Sequence, residues 1–201
     1  NNVISGANSL VSGSGNTVSG TNSLAGGNAN TVSATHALVS GNANNAAGNY
    51  SVVLNNTNSS TVAATTSIAG GFQSQTQSNL GLAIGWGDTT SGVSAGALGR
   101  GNYARSFGEL SVGTFGTDYT AVGSGAFNAA DRAFNVGIGT AANSRADALT
   151  VLKGGNVGVG TNNPLQRLHV NGLTNGVRIG GLATGGSFIT TTSATTDKLL
   201  Y

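Results

Sequence analysis

A seven-residue rhythm of apolar side chains is the feature that most constrains what this chain can fold into. Every seventh residue from position 4 to position 53 is apolar: Ile4, Val11, Val18, Ala25, Val32, Val39, Ala46 and Val53. The residue just before each of these alternates in character, apart from Val3. It is apolar at Leu10, Leu24, Leu38 and Val52, and polar at Thr17, Thr31 and Asn45. The true period is therefore twice seven, and it consists of two unlike halves.

This repeat favours stacked β-coils over a coiled coil. A glycine in nearly every seven-residue unit would cost a helix about 1 kcal/mol at each such position. The apolar residues are β-branched or stand next to one another in the sequence, and they do not occupy the a and d positions of heptads. Glycine and asparagine instead tolerate the left-handed backbone of tight corners. We therefore predict an all-β fold, a repetitive β-solenoid (β-roll) whose ~14-residue coils stack at a strand spacing of about 4.8 Å.

The pattern divides the chain into four segments. Residues 1–54 carry the Asn/Ser/Gly-rich β-roll repeats, and residues 55–79 are interpreted as an irregular insertion or register break. Residues 80–144 form a second β-roll block, and residues 145–201 a β-rich C-terminal connector leading to a region beyond this fragment. The residues assigned to the structural repeat are Val11, Val18, Val32, Val39, Val53, Ile84, Leu98 and Val112, with Gly85, Gly99 and Gly113 after the last three.

The composition argues against several classes of function. Charged residues make up 7% of the chain, none occurs before Asp88, and the net charge of +2 comes without a cluster of Lys or Arg. A nucleic-acid partner is therefore not expected. The absence of Cys excludes disulfides and thiolate metal sites. No apolar run approaches the length of a membrane span, so membrane insertion of this fragment is not expected either.

Self-association is the partner interaction that the repeat predicts. A coil this short encloses little apolar volume, and its outer strands leave open edges. A single narrow stack is therefore expected to be marginally stable. Association of identical chains around a common axis, as a homotrimer, would cover the exposed apolar ladder.

The aromatic residues are the candidates for ligand recognition. Trp86, Tyr103 and Tyr50 are the proposed ligand-binding residues, and Phe72 is also well placed. The alternative is that these rings pack at coil corners or between chains. His36 and His169 are the only histidines. Stacking across three chains would let either bind an ion, but a turn or strand histidine is favoured, so no metal site is predicted.

The carboxylates do not favour catalysis. They are Asp88, Glu109, Asp118, Asp131, Asp147 and Asp197. An enzyme that cuts glycans needs two carboxylates flanking one bond, and Asp118 and Asp131 are the pair that adjacent coils would bring together. Surface ion pairs and turn caps are favoured for both. The Gly-x-Gly stretches "GVGTNNP" and "NVGIGT" open no predicted helix, so no phosphate loop is expected. We therefore predict no enzymatic activity and no cofactor.

Several segments resemble known families. The units "NSLVSG", "LAIGWGDTTSGVSAGALGRGNYARS" and "LSVGTFG" resemble the head repeats of trimeric autotransporter adhesins. The stretch "ALTVLKGGNVGVGTNNPLQRLHVNG", with its turn at Pro164, resembles a segment of phage-type tail fibres and of large surface proteins of Bacteroidetes-type bacteria. "ATTDKLLY" at 194–201 resembles the junction that follows it. The resemblance implies a homotrimeric left-handed β-roll followed by an interwoven connector.

The same resemblance implies a location outside the cell, at the cell surface or in a virion tail. The implied role is that of a structural fibre that adheres to a glycan or protein receptor. Three alternatives stay open: an extracellular filament without a receptor, a polysaccharide-degrading solenoid enzyme, and an ice-binding solenoid. The last rests on the ladder spacing of Thr17 and Thr31, and Asn45 interrupts that row.

Overall fold

The computed structural model of the chain describes residues 1–171 as β-strands joined by short turns, without a helix. The strands are β1 (Val3–Ile4), β2 (Leu10–Val11), β3 (Thr17–Val18), β4 (Leu24–Asn28), β5 (Thr31–Val32), β6 (Leu38–Asn42), β7 (Asn45–Ala46), β8 (Val52–Asn56), β9 (Ser59–Ser60), β10 (Ile68–Phe72), β11 (Gln75–Thr76), β12 (Leu82–Trp86), β13 (Thr89–Thr90), β14 (Gly96–Arg100), β15 (Tyr103–Ala104), β16 (Leu110–Thr114), β17 (Arg132–Ile138), β18 (Asp147–Leu152), β19 (Val157–Val159) and β20 (Leu168–Val170). Within this part of the chain nothing has the form of a membrane-crossing helix.

Each full coil contributes one five-residue strand and one two-residue strand. The two-residue strands form an eight-stranded parallel sheet that runs from β1 to β15. The five-residue strands form the parallel part of the second sheet, in which Leu24 pairs with Leu38 and Ala25 with Val39. Equivalent residues of adjacent coils thus lie one above the other. The prediction of an all-β solenoid with coils of about 14 residues is confirmed.

The core is a narrow column of small side chains. Each five-residue strand turns its second residue inward, as Val39 and Val53 do, and each two-residue strand does the same with Val18 and Val32. All four are fully buried. One inward residue from each half of the coil explains why the apolar rhythm has a period of seven, half the length of the coil.

Left-handed backbone forms three corners in each coil. One corner is occupied by Asn22, His36 and Tyr50 in successive coils, with φ of 54°, 58° and 56°. A second carries Ala29, with φ of 55°. The third falls at the fourth residue of the long strand, where Gly27 has φ of 102°. A Cβ on Gly27 would lie 2.0 Å from the carbonyl oxygen of the next coil, which favours glycine at this place, and Asn55 takes the equivalent position in β8 with φ of 78°.

Residues 55–79, interpreted from the sequence as an irregular insertion or register break, continue the stack in the structure. They contain β9, β10 and β11, and β10 pairs in register with the strands on either side. Val52 pairs with Ile68, which lies two positions further along the chain than the regular repeat would place it. The change of register is thus a two-residue lengthening of one coil, and it falls in the segment between Ser60 and Ile68.

Ile84, Leu98 and Val112 stack in register, but they lie on the outer face of the sheet. The inward residues of these strands are Ala83, Ala97 and Ser111, all buried. The corresponding short strands bury Thr76, Thr90 and Ala104. The core of the second block is therefore built from alanine and hydroxyl side chains instead of valine, and the conspicuous apolar residues of that block face outward.

Antiparallel pairing replaces coiling after β16. Residues 115–131 form a loop, and β17 then joins the long sheet parallel to β16. β18 pairs antiparallel with β17, β19 antiparallel with β18, and β20 parallel with β19. Pro164 lies between β19 and β20. The rest of the predicted connector, with "ATTDKLLY" and Asp197, lies outside the described residues.

Candidate functional site

A row of apolar side chains runs along the outside of the long sheet. It consists of the first residue of each long strand, and we call it the apolar row: Leu10, Leu24, Leu38, Val52, Ile68, Leu82 and Leu110. Leu10 is 69% exposed, and Leu38 and Ile68 are about 40% exposed. Gly96 takes the place between Leu82 and Leu110. Scattered exposed leucines are ordinary, but these side chains form one continuous exposed apolar row in register.

A groove lined by aromatic and arginine side chains lies at the opposite end of the same strands. The arginine–aromatic groove, as we call it, has a volume of about 340 Å³ and is lined by Trp86, Arg100, Tyr103, Phe115 and Arg145, among others. Trp86 and Arg100 are the last residues of β12 and β14, and they pair in register. Phe115 follows β16 in a left-handed corner. The fold thus brings Trp86 and Tyr103, two of the three ligand-binding candidates, into one groove.

Arg100 is held flat within this groove. Its guanidinium carbon lies 3.6 Å from the centre of the Trp86 ring and 5.3 Å from that of Phe115. Phe72 continues the same row, with its ring centre 6.4 Å from that of Trp86. The sequence analysis did not single out Arg100. The signal was present, since Phe72, Trp86 and Arg100 follow one another at the period of the repeat and therefore stack.

A second groove adjoins the first and shares Gln73, Gly87 and Tyr103 with it. It has a volume of about 480 Å³, and Gln75, Gln77, Thr57, Thr89 and Arg105 complete its lining. Apart from Arg105, these side chains are uncharged donors and acceptors of hydrogen bonds. Arg105 forms an ion pair with Asp118 at 2.8 Å, and this contact holds the pKa of Asp118 below its usual value.

Tyr50, the third ligand-binding candidate, lies elsewhere. It occupies a left-handed corner, is 59% exposed, and stacks on His36 with ring centres 4.9 Å apart and an angle of 8° between the rings. His36 also lies 3.4 Å from the side-chain amide of Asn22 in the preceding coil. Tyr50 and His36 are therefore parts of a corner ladder. Thr17 and Thr31 pair in the short sheet, and Asn45 follows them.

Buried polar groups fasten the last coil to the antiparallel strands. Asp147 accepts hydrogen bonds from the backbone of Thr117 and from Asn135, and it lies 3.4 Å from Arg132. Arg132 and Asp147 are both almost fully buried. Arg132 also donates to the carbonyl of Thr117 at 2.6 Å. The sequence analysis did not predict this cluster, because its members are separated by up to 30 residues and lie outside the repeat.

The carboxylates considered for catalysis make structural contacts. Asp131 is 1% exposed, and its two oxygens accept hydrogen bonds from the backbone N–H groups of Val122 and Gly123. Asp118 is paired with Arg105. A glycan-cutting pair would face one bond in an open groove. The contacts of Asp131 instead fasten the 115–131 loop.

Glu109 is buried at the corner beside this loop. One of its oxygens accepts hydrogen bonds from the backbone of Arg105 and Ser106 and from the hydroxyl of Tyr119. Burial raises the pKa of Glu109, and burial likewise raises the pKa of Tyr119. His169, in β20, accepts a hydrogen bond from the backbone of Leu165. Among residues 1–171 no three His, Asp or Glu side chains converge to hold a metal ion.

A ladder of buried asparagines runs through the stack. From Asn16 to Asn58 each side-chain oxygen accepts the backbone N–H of the next ladder residue, as Asn16 does from Asn30 and Asn30 does from Asn44. The amide of Asn30 donates to the carbonyls of Gly26 and Gly41. Asp88 occupies this ladder too. One oxygen of Asp88 accepts from the backbone of Asn102, and the other is buried without a partner among the described residues.

Comparison of the chain with protein-family models, with curated proteins and with solved structures found no match. The apolar row and the arginine–aromatic groove are therefore assigned as candidate sites from their geometry in the structure.

Proposed function

We propose that this chain is a structural fibre segment in which identical copies associate through the apolar row, as a homotrimer, and present an adhesive or receptor-binding surface. The observation that carries the proposal is the apolar row itself. Seven leucine, isoleucine or valine side chains lie in register over eight coils, a length of roughly 34 Å at the usual strand spacing.

A second copy of the chain is the partner that fits this row best. The row repeats once per coil, so an identical row has the same spacing, and closed symmetric association is the usual arrangement of identical chains. The resemblance of the repeat units to trimeric adhesin heads favours three copies. Burial of these side chains would also stabilise a solenoid whose own core is mostly alanine and valine. An extracellular location, at a cell surface or in a virion tail, belongs to the same proposal.

The adhesive part of the proposal concerns the other end of the strands. The apolar row occupies the first residue of each long strand, whereas Trp86 and Arg100 occupy the last. Five residues of extended chain separate these ends by about 13 Å. Association through the row therefore leaves the arginine–aromatic groove accessible.

The mass of the chain in solution tests the assembly. We expect light scattering to give three times the chain mass of 19.6 kDa. The double variant L24D/L38D should give the mass of one chain while keeping a β circular-dichroism spectrum, because both side chains are exposed and paired charges would face each other across the interface.

The matched control is N28D/N42D, which places the same two charges at the other end of the same strands. It should keep the wild-type mass. A wild-type chain that is monomeric at about 50–100 micromolar, as an order of magnitude for weak assemblies, would contradict the proposal. A mass that grows without limit as concentration rises would replace the trimer with an open filament.

A further inference from the structure

We infer that the arginine–aromatic groove binds a carboxylated oligosaccharide, with the guanidinium of Arg100 engaging the carboxylate. This inference rests on the proposed adhesive function and names the chemical class of its ligand. It depends on the state of Arg100, on the charge of the groove and on the polar side chains next to it.

Arg100 differs from every other arginine within residues 1–171. Arg105 is paired with Asp118 and Arg132 with Asp147. Arg145 donates to the carbonyls of Gly101 and Gly116, and Arg167 to that of Gly154. The guanidinium of Arg100 lies over aromatic rings, and it has no hydrogen bond or ion pair with any residue in the part of the chain that the structure describes.

The stacking of Arg100 determines what it can bind. Trp86 covers a flat face of the guanidinium, and a face does not donate hydrogen bonds. The N–H groups of a guanidinium lie in its plane, so its edge keeps its donors, held in a fixed orientation. A planar carboxylate matches such an edge with two parallel hydrogen bonds. Trp86 and Phe115 thus hold the guanidinium of Arg100 in an orientation in which its edge can bind a carboxylate.

The charge of the groove favours an anionic ligand. Arg100, Arg145 and Arg105 are three of only eight Lys and Arg residues in the whole chain, and all three border this groove or the one beside it. Arg145 is held by backbone carbonyls, which leave its charge in place. Asp118 forms its ion pair with Arg105 and also interacts electrostatically with Arg145, whereas no ion pair or hydrogen bond of the Arg100 guanidinium is found within residues 1–171.

The adjoining groove favours a sugar over other anions. Gln73, Gln75 and Gln77 are exposed, and with Thr57 and Thr89 they line its wall. Amide and hydroxyl side chains exchange hydrogen bonds with neutral hydroxyl groups, which an oligosaccharide carries on every ring. Single-stranded nucleic acid would instead need free ring faces for base stacking. Here arginine side chains lie over the faces of Trp86 and Tyr103.

The test uses the whole chain and a panel of paired oligosaccharides. Each uronic-acid or sialylated member of the panel is printed beside its carboxyl-reduced counterpart, and binding is measured on the array and then by calorimetry. We expect carboxylated members to bind, with at least tenfold weaker binding after reduction of the carboxyl group. R100Q should weaken binding at least tenfold, because glutamine keeps a polar side chain there but lacks the charged fork.

Two controls separate the groove from general effects. R167Q removes the same charge from the antiparallel end of the chain and should leave affinity unchanged. Y50A removes an exposed ring outside the groove and should also bind normally. Circular dichroism and light scattering on the same R100Q sample show whether the fold and the assembly are intact.

Three outcomes would overturn the inference: binding of no carboxylated member, equal binding of carboxylated and reduced sugars, or equal binding of an oligo-dT strand. If wild-type protein forms the trimer but shows one of these, the ligand assignment fails and the fibre stands. If the wild type is monomeric and still binds carboxylated sugars through Arg100, the assembly fails and the ligand assignment stands.

Discussion

Asp88 illustrates how one atom in a stacked coil changes the behaviour of a residue. Its neighbour in the ladder, Asn102, donates its amide to the carbonyls of Leu98 and Gly113. A carboxylate has no hydrogen to donate at that place, and one oxygen of Asp88 is buried without a partner among the described residues. Burial raises the pKa of Asp88 from 3.8 to about 6. Between about pH 4 and pH 6 the folded chain therefore holds a proton on Asp88 that the unfolded chain would release, and the O–H of protonated Asp88 supplies a donor.

We predict that D88N stabilises the protein at neutral pH. Because the folded pKa lies above the unfolded one, the native state holds the proton more tightly, and stability falls as pH rises from about 4 to about 6. D88N should remove that fall and raise the free energy of unfolding at pH 7 by roughly 1–3 kcal/mol, of which the upper figure corresponds to the full pKa shift. At pH 4 the two proteins should be nearly equal. Urea unfolding at several pH values measures the difference.

Asp118 provides the control with the opposite sign. Its pKa is lowered through the pair with Arg105, so its contribution to stability is present above pH 4 and is lost as pH falls. D118N should therefore destabilise slightly at pH 7 and not at pH 3. Equal pH profiles for D88N and the wild type would show that the fold does not raise the pKa of Asp88.

Leu80 occupies a left-handed corner that asparagine and glycine occupy in other coils. Its φ is 58°, and Asn22 and Gly108 take the equivalent position with φ of 54° and 64°. The side chain of Leu80 is 54% exposed, so it contributes little packing. We predict that L80N stabilises the protein by about 1 kcal/mol, since asparagine tolerates this backbone better. The converse change, N22L, should lower the thermal midpoint, and a rise would contradict the prediction.

At the scale of the strand, the distance between coils decides which glycines are replaceable. Gly26 and Gly27 are adjacent in β4, but a Cβ on Gly26 would meet only serine hydroxyls, the nearer at 3.4 Å. A Cβ on Gly27 would overlap the carbonyl oxygen of Gly41, and its φ is positive as well. G27A should lower the free energy of unfolding by about 3 kcal/mol or more, on the order expected for a clash and a strained backbone together. G26A should change it by about 0.5 kcal/mol or less. Similar losses for both would mean that coil spacing does not select glycine.

The ladder of buried asparagines also stabilises the stacked coils, and a substitution at Asn30 tests this contribution. Replacement by alanine removes the acceptor of the buried Asn44 backbone N–H and the donor to the half-buried carbonyls of Gly26 and Gly41. Buried groups left unsatisfied cost about 1–3 kcal/mol each. N30A should therefore destabilise by at least about 3 kcal/mol. N42A removes an exposed side chain that hydrogen-bonds Asn28 and Asn56, and it should cost less than about 1 kcal/mol by thermal unfolding.

Where the inner residues are valine, the sequence predicts the strands well. The rhythm of Val18, Val32 and Val39 marks the inner rows because a valine on the outside of the same strands is rare. In the second block the inner rows carry Ala83, Thr90 and Ser111, which no hydropathy pattern distinguishes from surface residues. Within residues 55–79 the inner rows likewise carry Ser60, Ala69 and Thr76, so the repeat looks broken there although the backbone pairing continues.

The candidate sites were predictable to different degrees. Trp86 and Tyr103 could be named as exposed rings, but their convergence with Arg145 depends on a strand that returns after the 115–131 loop. The contact of Asp147 with Thr117 likewise joins distant parts of the chain, and no repeat spacing reports it. Non-local pairing of this kind is set by the whole fold and leaves no periodic signal in the chain.

At the scale of the molecule, charge is confined to one end of the described stack. Residues 1–87 contain no Asp, Glu, Lys or Arg. The charged residues of the described stack all follow them, and among these the pair of Arg132 with Asp147 fastens the last coil to the antiparallel strands. We predict that acid loosens only that end. At pH 2.5, hydrogen exchange corrected for its intrinsic rate should show lost protection over residues 105–153 and unchanged protection over residues 16–60.

The reason is that the charged side chains of the stack are confined to this end, and acid breaks the ion pair with Arg105 that lowers the pKa of Asp118. In residues 16–60 only His36 and Tyr50 carry ionisable side chains, and both lie at a corner on the surface. Uniform loss of protection along the chain would show that the stack unfolds as one unit and that its charged end does not act separately.

The two extra residues between Ser60 and Ile68 show how length is encoded in this architecture. A corner absorbs a small addition, and the coils above and below keep their register. An addition of one full repeat would instead insert a coil and lengthen the rod by about 4.8 Å. The length of the rod therefore changes in steps of one coil, set by the number of repeats in the sequence. The surfaces at its two ends move apart while their own residues stay the same.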